Sequence, residues 1–188
     1  TIQSDSHLDI ALSNPHDNAM RPIKHLSLPG YGFAKNLDIE RRKLLSQWGE
    51  FFAFDEGEIL VTQGERHDSL FMVLEGVLLP ERIINPHSII PLRAIKRGGI
   101  FGEINLFDPA GARATVKATT DGELWKISSE RLNSWLDTDF IICREILTWL
   151  CGKFARRVRR LDDRYAATRE ELDQVADDGG EDEVNSDV

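Results

Sequence analysis

Phe101-Gly102-Glu103-Ile104-Asn105-Leu106, followed after a short loop by Gly111-Ala112-Arg113-Ala114-Thr115-Val116, is the stretch on which the reading of this chain turns. It offers backbone N–H groups, one carboxylate and one arginine within a single short segment. Those groups suit a phosphate joined to a sugar: the arginine and the amides face the anion, and the carboxylate accepts from a hydroxyl.

Around this stretch the chain has the pattern of an antiparallel β-protein. Short β-rich runs cover 50–54, 59–62, 70–74, 77–84, 88–95, 114–118 and 124–127, separated by glycine, Asn-Pro or Asp-Gly signals. Many short strands with such punctuation predict an eight-stranded jelly roll, mainly β, with flanking helices. Glycines at 57, 64, 76, 98, 99 and 102 fall where a roll must turn tightly or let its backbone approach something closely. A short helix precedes the roll, with Asp38 as N-cap and Ile39, Leu44, Leu45 and Trp48 as its apolar positions. A second covers 128–136.

The longest helix is expected over 139–175. Leu147, Cys151, Phe154, Val158, Leu161, Tyr165, Thr168, Leu172 and Val175 recur along it at alternating spacings of four and three, a sustained heptad seam. A lone helix of that length needs a partner for its apolar stripe, so a homodimer through this helix is expected. The domain plan is therefore a disordered or loosely docked arm at 1–20, a roll with flanking helices at 21–138, a lid or dimerisation helix at 139–175, and a disordered acidic tail at 176–188.

The chain has 188 residues and a formal charge of −9. That balance argues against a free-standing nucleic-acid binder, whose footprint should be basic. The basic run Lys153, Arg156, Arg157, Arg159, Arg160 and Arg164 is interleaved downstream with Asp162, Asp163, Glu170 and Glu171 and reads as a solvated helix face. No apolar run approaches bilayer length and no leader is recognisable, so neither membrane nor nucleic acid is an expected partner, and a reduced cytoplasmic setting is expected. Cys143 and Cys151 are read there as small core-facing thiols. The chain opens at Thr1, which leaves a processed start or a fragment equally open. The five histidines are scattered without metal-ligand spacing, so no metal is expected. Trp48, Trp125, Trp135 and Trp149 read as core residues, with Trp149 the best placed of them to cover a ligand. No nucleophile–base constellation and no Walker-type loop is present, so no enzyme activity is expected.

Gly57-Glu58-Ile59-Leu60, Gln63-Gly64-Glu65 and Leu70-Phe71-Met72-Val73-Leu74-Glu75-Gly76, with the opening stretch and Ala114-Thr115-Val116-Lys117-Ala118 after it, resemble the cyclic-nucleotide-binding domain family of catabolite activator protein and protein kinase A regulatory subunits. The resemblance covers roughly residues 37 to 165. It implies a ligand site built from Phe101, Gly102, Glu103, Ile104, Asn105, Arg113, Ala114 and Thr115. Glu103 would accept from the ribose 2′-hydroxyl, Gly102 and the following amides would face the cyclic phosphate, and Arg113 would neutralise it. Arg113→Ala should then weaken binding at least tenfold. Ala114 after the arginine resembles cAMP-type cassettes, whereas cGMP-preferring kinase sites carry threonine there. The expected function is a cyclic-nucleotide-binding regulatory module, with cAMP favoured over cGMP, acting on an unidentified effector protein; the alternative is a roll that no longer binds nucleotide and serves as a dimeric scaffold. No helix-turn-helix segment follows the long helix, which separates the chain from the transcription-factor branch.

Two departures bear on the site. The family pattern places one residue between the arginine and the Ala-Thr-Val that follows; here Arg113 abuts it, and counted back from Val116 the arginine's place holds Ala112. Side chains alternate along a strand, so Arg113 turns away if extended pairing already begins there and points inward if the loop absorbs the difference. The small residue usual two positions after the glutamate is Asn105, which either crowds the phosphate site or adds a donor to it.

Overall fold

Buried side chains concentrate on one central strand of this protein, and the rest of the first unit is arranged about it. The computed structural model describes residues 20–108, 110–136 and 139–178. The chain divides into two units, Thr1–Phe140 and Ile141–Val188. The arm expected at 1–20 falls, apart from Met20, outside the described residues, as does the acidic tail beyond Asp178.

In the first unit the chain runs β1 (Arg21–Ile23), a 3-10 turn (Gly32–Ala34), α1 (Ile39–Trp48), β2 (Glu50–Phe54), β3 (Ile59–Val61), β4 (Arg66–His67), β5 (Ser69–Glu75), β6 (Leu78–Asn85), β7 (Ser88–Pro91), β8 (Ile100–Phe101), α2 (Glu103–Phe107), β9 (Ala110–Gly111), β10 (Thr115–Ala118), β11 (Gly122–Ser128) and α3 (Ser129–Leu136). Every ladder is antiparallel. One sheet has the order β1-β2-β11-β5-β8, a second β3-β10-β6-β7, and β4 pairs with β9 alone. This is the expected roll. Eleven strands are found among the described residues where eight were expected, and five of them, β1, β3, β4, β8 and β9, are only two or three residues long.

Six consecutive residues of β5 are buried, so both of its faces are covered. Phe54, Phe71, Val73, Leu78, Phe101, Val116, Ala118 and Leu124 form one core cluster. Phe71 and Phe101 stack with centroids 4.5 Å apart. Each large side chain buried there contributes roughly 1.5–3 kcal/mol. Trp125, 1% exposed, packs instead beside Phe33 at 5.8 Å. Gly49 lies so close that a Cβ would stand 2.3 Å from the Trp125 ring.

Local signals act largely as read. Asp38 caps α1 by accepting from the Arg41 N–H at 2.8 Å, although Ile39 and Leu44 stay exposed and only Leu45 of the apolar positions is buried. The strand expected over 88–95 stops at Pro91, which has no N–H to donate. Ile95 then returns as an isolated bridge to Leu78. Gly57, Gly64, Gly76, Gly98 and Gly102 have positive φ, whereas Gly99 does not.

In the second unit α4 (Phe140–Asp178) is one helix of 39 residues, longer at its C-terminus than the 175 expected. Ile142, Ile146 and Leu150 are buried, and every residue from Ala155 to Gln174 is exposed. The expectation that both thiols face a core is corrected: Cys143 is half-buried and Cys151 is exposed. Cys151 lies on the seam side, four residues before that solvated stretch begins. Among the described residues no helix is long and apolar enough to cross a membrane.

Candidate functional site

The turn from β8 into α2 builds the centre of the site. Gly102 has φ +79°, and a Cβ on it would fall 2.1 Å from the Ser69 carbonyl oxygen. No other residue type fits both the left-handed backbone and that approach to β5. Phe101 is anchored immediately before it by its stack on Phe71. Glu103 opens α2 and is 7% exposed, an acid held inside the fold. Ile104 is half-buried, and its carbonyl accepts from the Asp108 N–H at 2.9 Å, closing the helix after little more than one turn.

Asn105 is buried, and its Nδ2 donates to the Ala110 carbonyl. The donor that the sequence offered to the site is therefore used inside the segment, where it ties α2 to β9. From there the chain is already extended. Ala110 pairs with His67 and Gly111 with Arg66. The Ala112 N–H donates to the Glu65 carbonyl at 2.9 Å, and the Ala112 carbonyl accepts from the Gly64 N–H at 2.8 Å.

Pairing runs as far as Ala112, the chain bends at Arg113 and Ala114, and the next strand begins at Thr115. Ala112, Val116 and Ala118 are buried, whereas Arg113 and Lys117 are exposed. Ala114 and Thr115 are half-buried, and Thr115 Oγ1 accepts from the Gln63 N–H at 3.1 Å, joining β10 to the end of β3. Among the described residues the Arg113 side chain makes no hydrogen bond or ion pair. The structure thus brings Phe101, Gly102, Glu103, Ile104 and Asn105 together, ties them to β9, and leaves Arg113 exposed.

One residue at this junction was passed over in the sequence. His67 pairs with Ala110 across the β4–β9 ladder, and its Cε1 would lie 3.1 Å from a Gly102 Cβ. Its ring is 6.1 Å from that of Phe71. Burial lowers its pKa, against the opposing pull of Asp68. A single histidine without a spacing motif gives no sequence signal; only the pairing of two two-residue strands shows where it stands. Among the described residues no group of three or more His, Cys, Asp or Glu side chains is placed to hold a metal ion.

Residues 51–139 match the cyclic nucleotide-binding domain family. Within the chain, residues 51–139 carry a cyclic nucleotide-binding domain, a glycine-to-glutamate cassette set in a β-roll. Among curated proteins it is similar to the cGMP-dependent protein kinase of Plasmodium berghei (strain Anka), 28% identical over 92 residues, which are 49% of this chain and 10% of the kinase. The corresponding kinase of Eimeria tenella is 31% identical over 85 residues, 43% of this chain and 8% of that protein. This chain thus spans about a tenth of the length of these relatives. Among solved structures, the N-terminal domain of a transcriptional regulator from Streptomyces coelicolor A3(2) is 26% identical with a TM-score of 0.59, over 71% of this chain and 90% of that one. Thermus thermophilus catabolite activator protein shares the fold at 22% identity and a TM-score of 0.63, over 77% of this chain and 62% of its own.

Proposed function

We propose that this domain binds a cyclic nucleotide, cAMP in preference to cGMP, and passes the bound state to a partner protein in the cytoplasm. The observation that carries the reading is the left-handed Gly102 delivering a buried Glu103 at the start of α2. Glu103 would accept from the ribose 2′-hydroxyl, and the backbone of 102–105 would face the phosphate. The preference for cAMP rests on Ala114 where cGMP-type kinase cassettes carry threonine. The relatives named as cGMP-dependent kinases favour the other nucleotide. Calorimetric titration with cAMP and cGMP separates the two: saturable binding with cAMP the tighter ligand is expected. Affinity no better than millimolar for both would sink the sensor.

A second reading has its own observation. Ala112 is buried and Arg113 exposed, and a segment that turned its arginine away from the phosphate would hold a nucleotide weakly. A roll in that condition serves as a scaffold, and the same titration decides between them. Both readings include a homodimer through α4. Val158, Leu161, Tyr165 and Leu172 are 55–71% exposed along its seam, and light scattering at tens of micromolar should report twice the chain mass of 21.3 kDa.

A further inference from the structure

The hairpin of β6 and β7 runs out of the roll before it turns. From Arg82 to Arg93 every residue except Ser88 is exposed, so beyond Glu81 both of its faces stand in solvent. Ile83, Ile84, Ile89, Ile90 and Leu92 are 44–59% exposed within ten residues. Single exposed aliphatics are ordinary, but five on one projection mark a contact surface. Ile83 pairs with Ile89, and Arg82 with Ile90. Cross-strand partners share a face, so aliphatic side chains stand on both faces of the hairpin. Its shape is held by other groups. Gln63 Oε1 accepts from the Ile83 N–H at 2.8 Å, and Gln63 Nε2 donates to the Ile83 carbonyl at 3.0 Å. At the turn Asn85 Oδ1 accepts from the His87 N–H at 3.0 Å.

Charge on the same segment is one-sided. From 82 to 102 no Asp or Glu stands against Arg82, Arg93, Lys96 and Arg97, in a chain whose formal charge is −9. Arg97 lies over the Tyr31 ring at 4.7 Å. Arg82, Arg93 and Lys96 are exposed. The Leu92 N–H donates to the Pro80 carbonyl at 2.8 Å, and Ile95 exchanges hydrogen bonds with Leu78. From Leu92 onward the chain therefore runs back beside the start of β6, and these cations stand behind the aliphatic tip. The three residues from Arg82 to Asn85 span about 10 Å at roughly 3.4 Å each.

We propose that this hairpin docks on the surface of an anionic phospholipid bilayer, its isoleucines entering between the headgroups while Arg82, Arg93 and Lys96 meet the phosphates. An amphipathic element at that boundary sinks about 5–10 Å, which matches the reach of the tip beyond Arg82. Aliphatic groups on both faces suit a medium that surrounds the hairpin, whereas a protein partner covers one face. The tip has no aromatic residue, and the anchors of protein interfaces are enriched in Trp and Tyr. A nucleic acid complements the cations but not the isoleucines. The expectation of no membrane partner rested on the lack of a spanning run, which a peripheral contact does not need. The contact is also independent of whether the cassette holds a nucleotide.

The test is co-sedimentation of the full chain with vesicles of phosphatidylcholine alone and of phosphatidylcholine mixed with phosphatidylserine. Binding to the mixed vesicles only is expected, and it should be lost at molar salt, where the Debye length falls to about 3 Å. Each Lys or Arg near an anionic surface is worth a factor of about five, so Arg82→Gln with Arg93→Gln should weaken binding roughly twenty- to thirtyfold. Ile84→Ser with Ile89→Ser removes two aliphatics from the tip and should weaken it at least about tenfold. All four side chains are exposed, so both variants should melt with the parent. A parent that binds neither vesicle, or both equally, overturns the proposal. Binding that persists in both variants arises elsewhere, as on the basic run 153–160 of α4, and overturns it too. A parent that ignores vesicles, but whose light-scattering mass falls in the isoleucine variant, uses the hairpin on a second copy and equally overturns it.

Discussion

Exchanging two adjacent residues, Ala112→Arg with Arg113→Ala, should convert this cassette into one with its cation inside. The length of the segment is unchanged, so the β4–β9 pairing and the Asn105 tether to Ala110 are kept. Ala112 is 6% exposed, so a side chain there points inward, whereas Arg113 is exposed. A desolvated charge pair across a binding interface is worth about 2–5 kcal/mol when one partner is removed, or roughly 30- to 5,000-fold in affinity. The exchanged protein should therefore bind cAMP at least about thirtyfold more tightly than the parent. Arg113→Ala alone removes an exposed side chain and should alter affinity by no more than about twofold, the effect of ~0.5 kcal/mol at a surface site. The family resemblance implies instead a loss of at least tenfold for that change, so the single variant separates an arginine that reaches the phosphate from one that does not. Without ligand the inward guanidinium is a buried charge, so the exchanged apoprotein should melt earlier and recover on saturation, by about 2.7 kcal/mol at a hundredfold excess over Kd. Calorimetry with cAMP and cGMP, with thermal melts of each protein, gives the comparison. If Arg113→Ala weakens binding tenfold while the exchange fails to tighten it, Arg113 reaches the phosphate after all and the register argument is refuted.

Three other outcomes follow from the same geometry. Gly102→Ala should destabilise the fold by at least about 1–2 kcal/mol from its left-handed backbone alone, and by more because the Ser69 carbonyl must move; an unchanged urea midpoint would contradict the approach of β8 to β5. Burial holds the His67 pKa below its ordinary value, so the native state binds fewer protons than the unfolded chain. Its contribution to stability is then present above about pH 6.5 and is lost as pH falls from there through the lowered folded value. Urea midpoints measured across that range should show the loss in the parent and a flatter profile in His67→Gln. Leu161→Glu places a charge in the α4 seam and should give monomers by light scattering while the melting of the roll is retained; a stable dimer in that variant would remove the seam from the interface.

Much of the roll was legible because its determinants are local. Glycines that need positive φ announce turns wherever they stand, and Asp38 caps the next residues whatever lies further along the chain. Gly102-Glu103 belongs to the same kind, since the conformation of that turn is a property of the two residues and their neighbours. The apolar run over 88–95 does not make one strand, because Pro91 has no N–H to donate and pairing ends there. The burial of Trp125 agrees with its reading as a core residue, whereas the exposure of Ile39 depends on which element lies opposite.

The placement of Arg113 shows where sequence reading stops. Alternation is a local rule, but its phase is set by where pairing begins, and that is decided by Gly64 and Glu65, some fifty residues upstream, bonding to Ala112. The same non-local pairing carries His67 to Gly102, a juxtaposition with no trace in either residue's neighbourhood. The sequence by itself determined the roll and the glycine-to-glutamate cassette, because propensity and turn chemistry are carried residue by residue. The tertiary structure alone decided that Ala112 is buried and Arg113 exposed, because burial exists only once two distant strands have chosen their register.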